Sequence, residues 1–174
     1  PPVGAIPEAQ AEEILALRFR LIAAELADLG IDVDCMPLLD VPAPGGHEII
    51  GDRALGRDAA TVARRGRIVC EALMAGGVLP VVKHLPGHGR APADSHERLP
   101  VVDAPLEALR GSDFAPFAAL ADQPLGMTAH VVYTALDADR PATLSPACIG
   151  AIRGDIGFDG LLMSDDLGMG ALCG

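Results

Sequence analysis

Val78-Leu79-Pro80-Val81-Val82-Lys83-His84-Leu85-Pro86-Gly87-His88-Gly89 changes character at its midpoint. The first five residues read as an apolar strand bound for a core. The remainder, with Asp94-Ser95-His96 just beyond, gathers a cation, three imidazoles and a carboxylate. That stretch is too rich in glycine and proline to be helical. Ionisable side chains collected where a strand leaves the core are how α/β enzymes build an active site.

Working outward, residues 8–29 read as a helix with an apolar stripe at Leu15, Phe19, Ile22, Leu26 and Leu29. Pro7 suits its first turn and Gly30 the left-handed position after its last. A strand follows over 31–36. The next helix runs over 58–75, capped by Asp58, with Val62, Val69 and Leu73 facing inward and Gly76-Gly77 ending it. Beyond the strand at 79–83 and a long polar loop, a helix is predicted over 112–121 and a strand over 125–129. Ser145-Pro146 opens a helix to Arg153, and a last strand covers 160–164. The alternation of helix and strand implies an α/β fold with a parallel sheet in one domain, residues 1–174. Asp40 lies past the first strand, Lys83 and His84 close the second, His130 the third, and Asp165 with Asp166 the fourth. Parallel strands send these groups to one end.

Composition narrows the function. The chain has 174 residues, half of them hydrophobic and 21% charged, which fits a folded domain with a real core. Aromatics are 3% of residues with no Trp, and the formal net charge is −11, so nucleic acid is not the expected partner. No apolar run is long enough to span a bilayer. The chain begins at Pro1, not Met, and its true N-terminus is expected to lie upstream. Cys35, Cys70, Cys148 and Cys173 form no C-x-x-C pair and read as free, buried thiols of a reducing compartment.

The side chains permit several chemistries. Asp165, on a rigid strand end, could attack an electrophilic carbon, bind a metal or pair with a cation. Asp165 and Asp166 point to opposite sides of an extended segment, which leaves open which one faces the cleft. Asp94 and His96, two residues apart, can form a carboxylate–imidazole acid/base pair. Lys83 ends a buried strand and needs a partner or a ligand. His88 suits the organisation of its loop. A zinc site built from His84, His88, His96 and Asp94 matches no common ligand spacing, so no metal or other cofactor is expected.

Lys83-His84-Leu85-Pro86-Gly87-His88-Gly89, Asp94-Ser95-His96 and Leu99-Pro100 resemble the signature loop of family-three glycoside hydrolases, in the bacterial β-N-acetylglucosaminidase (β-hexosaminidase) branch. The segment from Gly160 to Met169 resembles that family's nucleophile strand. Gly51-Asp52-Arg53-Ala54-Leu55-Gly56 resembles its D-R-x-F-G segment, with Leu55 in place of Phe. Met127-Thr128-Ala129-His130-Val131 and residues 141–145 also fit.

The resemblance implies a (β/α)₈ TIM-type barrel and hydrolysis with retention. By position, Asp165 is the expected nucleophile, His96 the acid/base and Asp94 its tuning partner, while Arg53, Lys83 and His84 hold sugar hydroxyls. The implied substrate is a small carbohydrate, a GlcNAc-terminated glycan or muropeptide, met in the cytoplasm during cell-wall recycling. The family's early D-x-E-G-G-x-x-x-R-like segment has no counterpart here. About four strands are expected where a closed barrel has eight, so the chain reads as the central portion of a barrel, inactive by itself. The other readings are a metal-dependent hydrolase using the histidine cluster and a non-catalytic barrel fragment that binds sugar.

Overall fold

The computed structural model describes residues 6–172. In chain order its elements are α1 (Glu8–Asp28), β1 (Val33–Asp34), α2 (Ala59–Ala75), β2 (Leu79–Leu85), β3 (Val101–Val102), α3 (Leu106–Ala108), α4 (Ala115–Ala119), β4 (Leu125–Thr128), β5 (Val132–Tyr133), β6 (Asp137–Pro141), α5 (Pro146–Gly154) and β7 (Leu161–Ser164). The main sheet has the order β1-β2-β4-β7, and every neighbouring pair is parallel. Each strand lies beside the next one along the chain that joins this sheet. That adjacency belongs to a barrel wall, not to a doubly wound sheet.

Local chemistry sets the helix ends. The Asp58 carboxylate accepts the Thr61 N–H at 2.8 Å at the start of α2, and the Ser145 hydroxyl accepts the Cys148 N–H at 3.2 Å at the start of α5. These side chains satisfy amides that have no partner in a helical first turn. Gly30 takes a φ of +75° just past α1, a conformation that favours glycine. Along α1, Phe19 and Ala23 are buried against Val69, Ala72, Leu73 and Val78, with Leu15, Ile22 and Leu26 at the margin. Leu29, expected to extend this stripe, is 76% exposed, because the helix ends at Asp28 and the chain turns away.

The main core lies between the sheet and its helices. Val82 and Leu85 from β2 meet Val62 and Cys70 of α2, Phe117 of α4, and Cys148 and Ile152 of α5. The opposite sheet face is set by register. Val33 pairs with Leu79, Val81 with Leu125 and Leu125 with Leu161, so these residues share one face. Leu79, Val33, Leu161 and Met163 are exposed there, as expected of the inner face of an incomplete barrel wall.

The sequence misleads in three places. The helix predicted over 112–121 is shorter: its start falls in a π-helical turn over Leu109–Asp113, which follows α3, and only α4 (Ala115–Ala119) is α-helical within it. Pro116 has no N–H to bond Ser112, so one continuous helix is excluded and α4 begins with the proline in its first turn. The first strand is two residues long, not six. A second sheet, β3-β5-β6, was not foreseen: two of its strands are dipeptides, and β6, Asp-Ala-Asp-Arg-Pro, lacks apolar alternation. Cys70 and Cys148 are buried free thiols and Cys35 is half-buried. Burial pushes the Cys70 thiol up to about 12. The expectations for Cys173 and Pro1 lie outside the described residues.

Candidate active site

Residues past β1 continue alongside β2. The Leu39 N–H donates to the Lys83 carbonyl at 2.7 Å, and the Lys83 N–H to the Pro37 carbonyl at 3.1 Å. This pairing delivers Asp40 to the end of β2. Asp40 is fully buried. One carboxylate oxygen accepts the backbone N–H of His88 at 2.7 Å and that of His84 at 3.2 Å. The other lies 2.7 Å from His84 Nδ1. Burial pushes the Asp40 carboxyl up, but the imidazoles and the donated N–H groups outweigh it and hold it below the ordinary range. On its far side, His84 Nε2 stands 3.8 Å from Asp165 Oδ2.

Asp165 follows β7 and is partly buried. Its Oδ1 accepts the Asp166 N–H at 2.9 Å. The Asp166 side chain accepts the Gly168 N–H at 2.8 Å within the turn that follows β7. The neighbouring Asp166 carbonyl lies 3.0 Å from His130 Nε2. His130 is buried, and its Nδ1 meets the Thr143 hydroxyl at 2.8 Å. The Thr143 hydroxyl also contacts Thr128 at 2.9 Å. His130 therefore does not project into the cleft with Asp165; it fastens the turn after β7 to the end of β4.

Asp94 and His96 form the expected pair, with Asp94 Oδ1 2.7 Å from His96 Nδ1 and also accepting the His96 N–H at 2.9 Å. Burial lifts the Asp94 carboxyl, but the His96 contacts outweigh it and hold it below its ordinary value. The connector carrying this pair is tied to the segment after β7. The Gly170 N–H donates to the His96 carbonyl at 3.0 Å, and the Ala171 N–H to the Ser95 carbonyl at 3.1 Å. At its base, His88 Nε2 lies 3.2 Å from the Ser95 hydroxyl, and the buried Tyr133 hydroxyl donates to the Gly87 carbonyl at 2.8 Å. Burial pushes His88 below its ordinary value, which favours a neutral ring and suits the loop-organising place foreseen for it.

Lys83 is half-buried in register with Met127. Among the described residues no carboxylate forms an ion pair with it. Arg53 sits on a turn that lines a cavity of about 480 Å³ with Arg18, Phe19, Met36 and Leu38. It donates to the Ile49 carbonyl at 2.5 Å. Among the described residues no hydrogen bond joins it to Lys83, His84 or Asp165. The geometry thus brings Lys83, His84 and Asp165 to the C-terminal ends of neighbouring strands and ties the Asp94–His96 connector to the segment after β7, while Arg53 lines a cavity with Met36 and Leu38, the latter paired with Lys83. Asp40 belongs to the strand-end groups read from the sequence, but the resemblance gives it no role. Its signal was a lone carboxylate inside the otherwise apolar run Pro37-Leu38-Leu39-Asp40-Val41-Pro42, a placement tolerated only with buried donors. No cluster of three or more potential metal ligands occurs among the described residues.

Strand-end carboxylates and imidazoles on a barrel wall define a TIM-barrel-like enzyme domain. Over residues 2–173 the chain matches the glycosyl hydrolase family 3 N terminal domain, and it belongs to that family. It is 40% identical over 156 residues to the β-hexosaminidase LpqI of Mycobacterium tuberculosis, covering 85% of this chain and 40% of the relative. It is 38% identical over 183 residues to a β-hexosaminidase of Chromobacterium violaceum, covering 100% of this chain and 51% of the relative. NagZ from Neisseria gonorrhoeae, solved in complex with N-trifluoroacetyl-D-glucosamine, superposes with a TM-score of 0.85 at 37% identity, over 91% of this chain and 47% of that one. The chain thus spans about half or less of the length of these relatives.

Proposed function

We propose that this chain carries the catalytic groups of a retaining exo-β-N-acetylglucosaminidase, as part of a single barrel domain. Asp165 is the nucleophile, His96 the acid/base and Asp94 its positioning partner; Lys83, His84 and Arg53 bind sugar hydroxyls. In the first step the Asp165 carboxylate bonds to the anomeric carbon as the bond to the leaving oxygen breaks. That oxygen takes the proton of the His96 imidazolium. In the second step a water oxygen attacks the anomeric carbon, its proton passes to the now neutral His96, and the Asp165 carboxylate departs. Two inversions give net retention. Asp94 at Nδ1 leaves Nε2 as the nitrogen that exchanges the proton.

The observation that carries this reading is the backbone bond between Gly170 and His96. It holds the acid/base connector against the same turn that bears Asp165. The β-hexosaminidase names of the relatives and the glucosamine derivative bound by NagZ support an N-acetylglucosamine substrate. We extend this to terminal β-linked residues of peptidoglycan fragments and to a cytoplasmic role in cell-wall recycling; no helix among the described residues is long and apolar enough to cross a membrane.

The test is hydrolysis of an aryl N-acetyl-β-glucosaminide by protein made from its intact reading frame, with the product anomer followed by NMR. Asp165→Ala is expected to abolish turnover, and unchanged turnover removes the nucleophile assignment. His96→Ala is expected to slow a poor leaving group far more than a good one, since only the former needs protonation. Equal losses contradict the acid/base role.

A further inference from the structure

We propose that Asp40 is a positioning residue for this site: its buried carboxylate locks His84 in the Nδ1–H form, so that Nε2 is the atom presented to Asp165 and to a sugar hydroxyl. The inference rests on the reading of Asp165 as nucleophile.

The argument is one of proton supply. An ionised carboxylate only accepts hydrogen bonds. Asp40 receives two backbone N–H groups on one oxygen and faces His84 Nδ1 at 2.7 Å with the other. That ring nitrogen must therefore carry the proton. The backbone donors come from both ends of the segment 84–88, so the carboxylate cannot turn away from the ring without releasing them in a buried place. The ring is also fenced on one side by His88, with centroids 5.6 Å apart and planes inclined by 60°. His84 is thus fixed in orientation and in tautomer. Its Nε2 to Asp165 separation of 3.8 Å is too long for a direct hydrogen bond. A hydroxyl bridging the two accepts from Nε2 of the doubly protonated ring and donates to Asp165; beside the neutral ring its one proton goes to Nε2 or to Asp165, not to both.

Asp40→Asn separates this role from simple loop support. The amide offers one acceptor and one donor group. With its oxygen kept by the two backbone N–H groups, its NH₂ faces Nδ1 and requires a lone pair there. The ring proton then moves to Nε2.

The experiment uses ¹⁵N-histidine-labelled protein from the intact reading frame and long-range ¹H–¹⁵N correlation spectra, with His84 assigned by its loss in His84→Gln. The wild-type protein is expected to carry a proton on His84 Nδ1. Asp40→Asn is expected to shift that proton to Nε2 and to lower kcat/KM for the aryl N-acetyl-β-glucosaminide by about 100-fold, the cost of a misplaced positioning group. A wild-type ring protonated on Nε2 alone overturns the proposal, whether or not Asp40→Asn folds. So does a folded Asp40→Asn that keeps wild-type activity, whichever nitrogen holds its proton. A wild-type protein with the Nδ1 proton in place but no glycosidase activity supports the lock and instead refutes the function on which its catalytic meaning rests.

Discussion

His130 provides the most direct test of how the turn bearing Asp165, the proposed nucleophile, is held. Its ring bridges Thr143 at 2.8 Å and the Asp166 carbonyl at 3.0 Å. A carbonyl only accepts, so Nε2 carries a proton. Nδ1 faces the Thr143 hydroxyl, which also donates to the Ala129 carbonyl at 3.1 Å and contacts Thr128 at 2.9 Å. His130→Ala removes both contacts and leaves a void in a buried site. Two net hydrogen bonds and a partly collapsed cavity together cost about 2–4 kcal/mol. With a urea dependence of about 2 kcal/mol per molar, the unfolding midpoint falls by about 1–2 M. His130→Asn places an amide atom near Nδ1 but cannot reach Asp166, so about 1–2 kcal/mol is lost. Both variants free the backbone beside Asp165, and the expected drop in kcat exceeds any change in KM. The assay pairs urea unfolding with aryl N-acetyl-β-glucosaminide turnover of protein from the intact reading frame. A His130→Ala midpoint within experimental error of wild type refutes the bracket.

Asp122 accepts both guanidinium nitrogens of Arg67 at 2.9 Å, and the Arg67 hydrogen bonds lower its carboxyl from 3.8 to about 2. A lowered folded-state value means that the stabilisation is complete above about pH 5 and disappears as pH falls through 2. Because this pair is exposed, Asp122→Asn is expected to cost only about 0.5–1 kcal/mol at neutral pH and next to nothing at about pH 1, below the folded-state value; a deficit in denaturant unfolding that persists undiminished at about pH 1 contradicts the pairing. Gly170→Ala places a Cβ 2.6 Å from the Glu97 carbonyl oxygen and 2.7 Å from that of His96. The connector must move off the nucleophile turn, with about 1–3 kcal/mol of strain and a marked loss of turnover; unchanged melting and activity mean that the two segments are not tightly apposed.

Much of this molecule is readable from residue order. Asp58, Ser145-Pro146 and Gly30 mark helix ends through chemistry confined to one turn, and the structure follows them. The apolar runs before Lys83, Ala129 and Asp165 mark strands because short unbroken apolar runs bounded by turn residues suit a parallel sheet. Legibility fails where an element depends on distant partners. Nothing local tells Val101-Val102 to pair with Val132-Tyr133, or the polar segment Asp137–Pro141 to join them. Asp113 likewise draws its meaning from afar: it is buried and pairs with Arg90 at 2.7 Å, while burial pushes its carboxyl up. In the site, the motif residues stood out through their chemistry. Asp40 stood out only as one more strand-end carboxylate; its pairing with His84 arises from residues 37–39 lying against Lys83, and no spacing along the sequence encodes that.

The two aspartate–histidine pairs show how burial divides labour between groups of the same chemistry. Asp40–His84 and Asp94–His96 both place a carboxylate oxygen 2.7 Å from Nδ1. Asp40 is completely buried and the His84 side chain 11% exposed, whereas the His96 side chain is 64% exposed. In the first pair every donor facing the carboxylate comes from a buried segment, so the ring can neither turn nor readily exchange its proton. It is suited to fixing a hydroxyl. In the second, Asp94 still orients the ring, but the His96 side chain is open to solvent, as the proposed acid/base role of donating and then recovering a proton requires. The sequence distance also differs: 44 residues separate the buried partners and two the exposed ones. The fold must exist before the first pair can form, while the second is assembled by its own loop. A barrel wall that builds the rigid pair into the strand ends and carries the exchanging pair on a connector satisfies both demands at once.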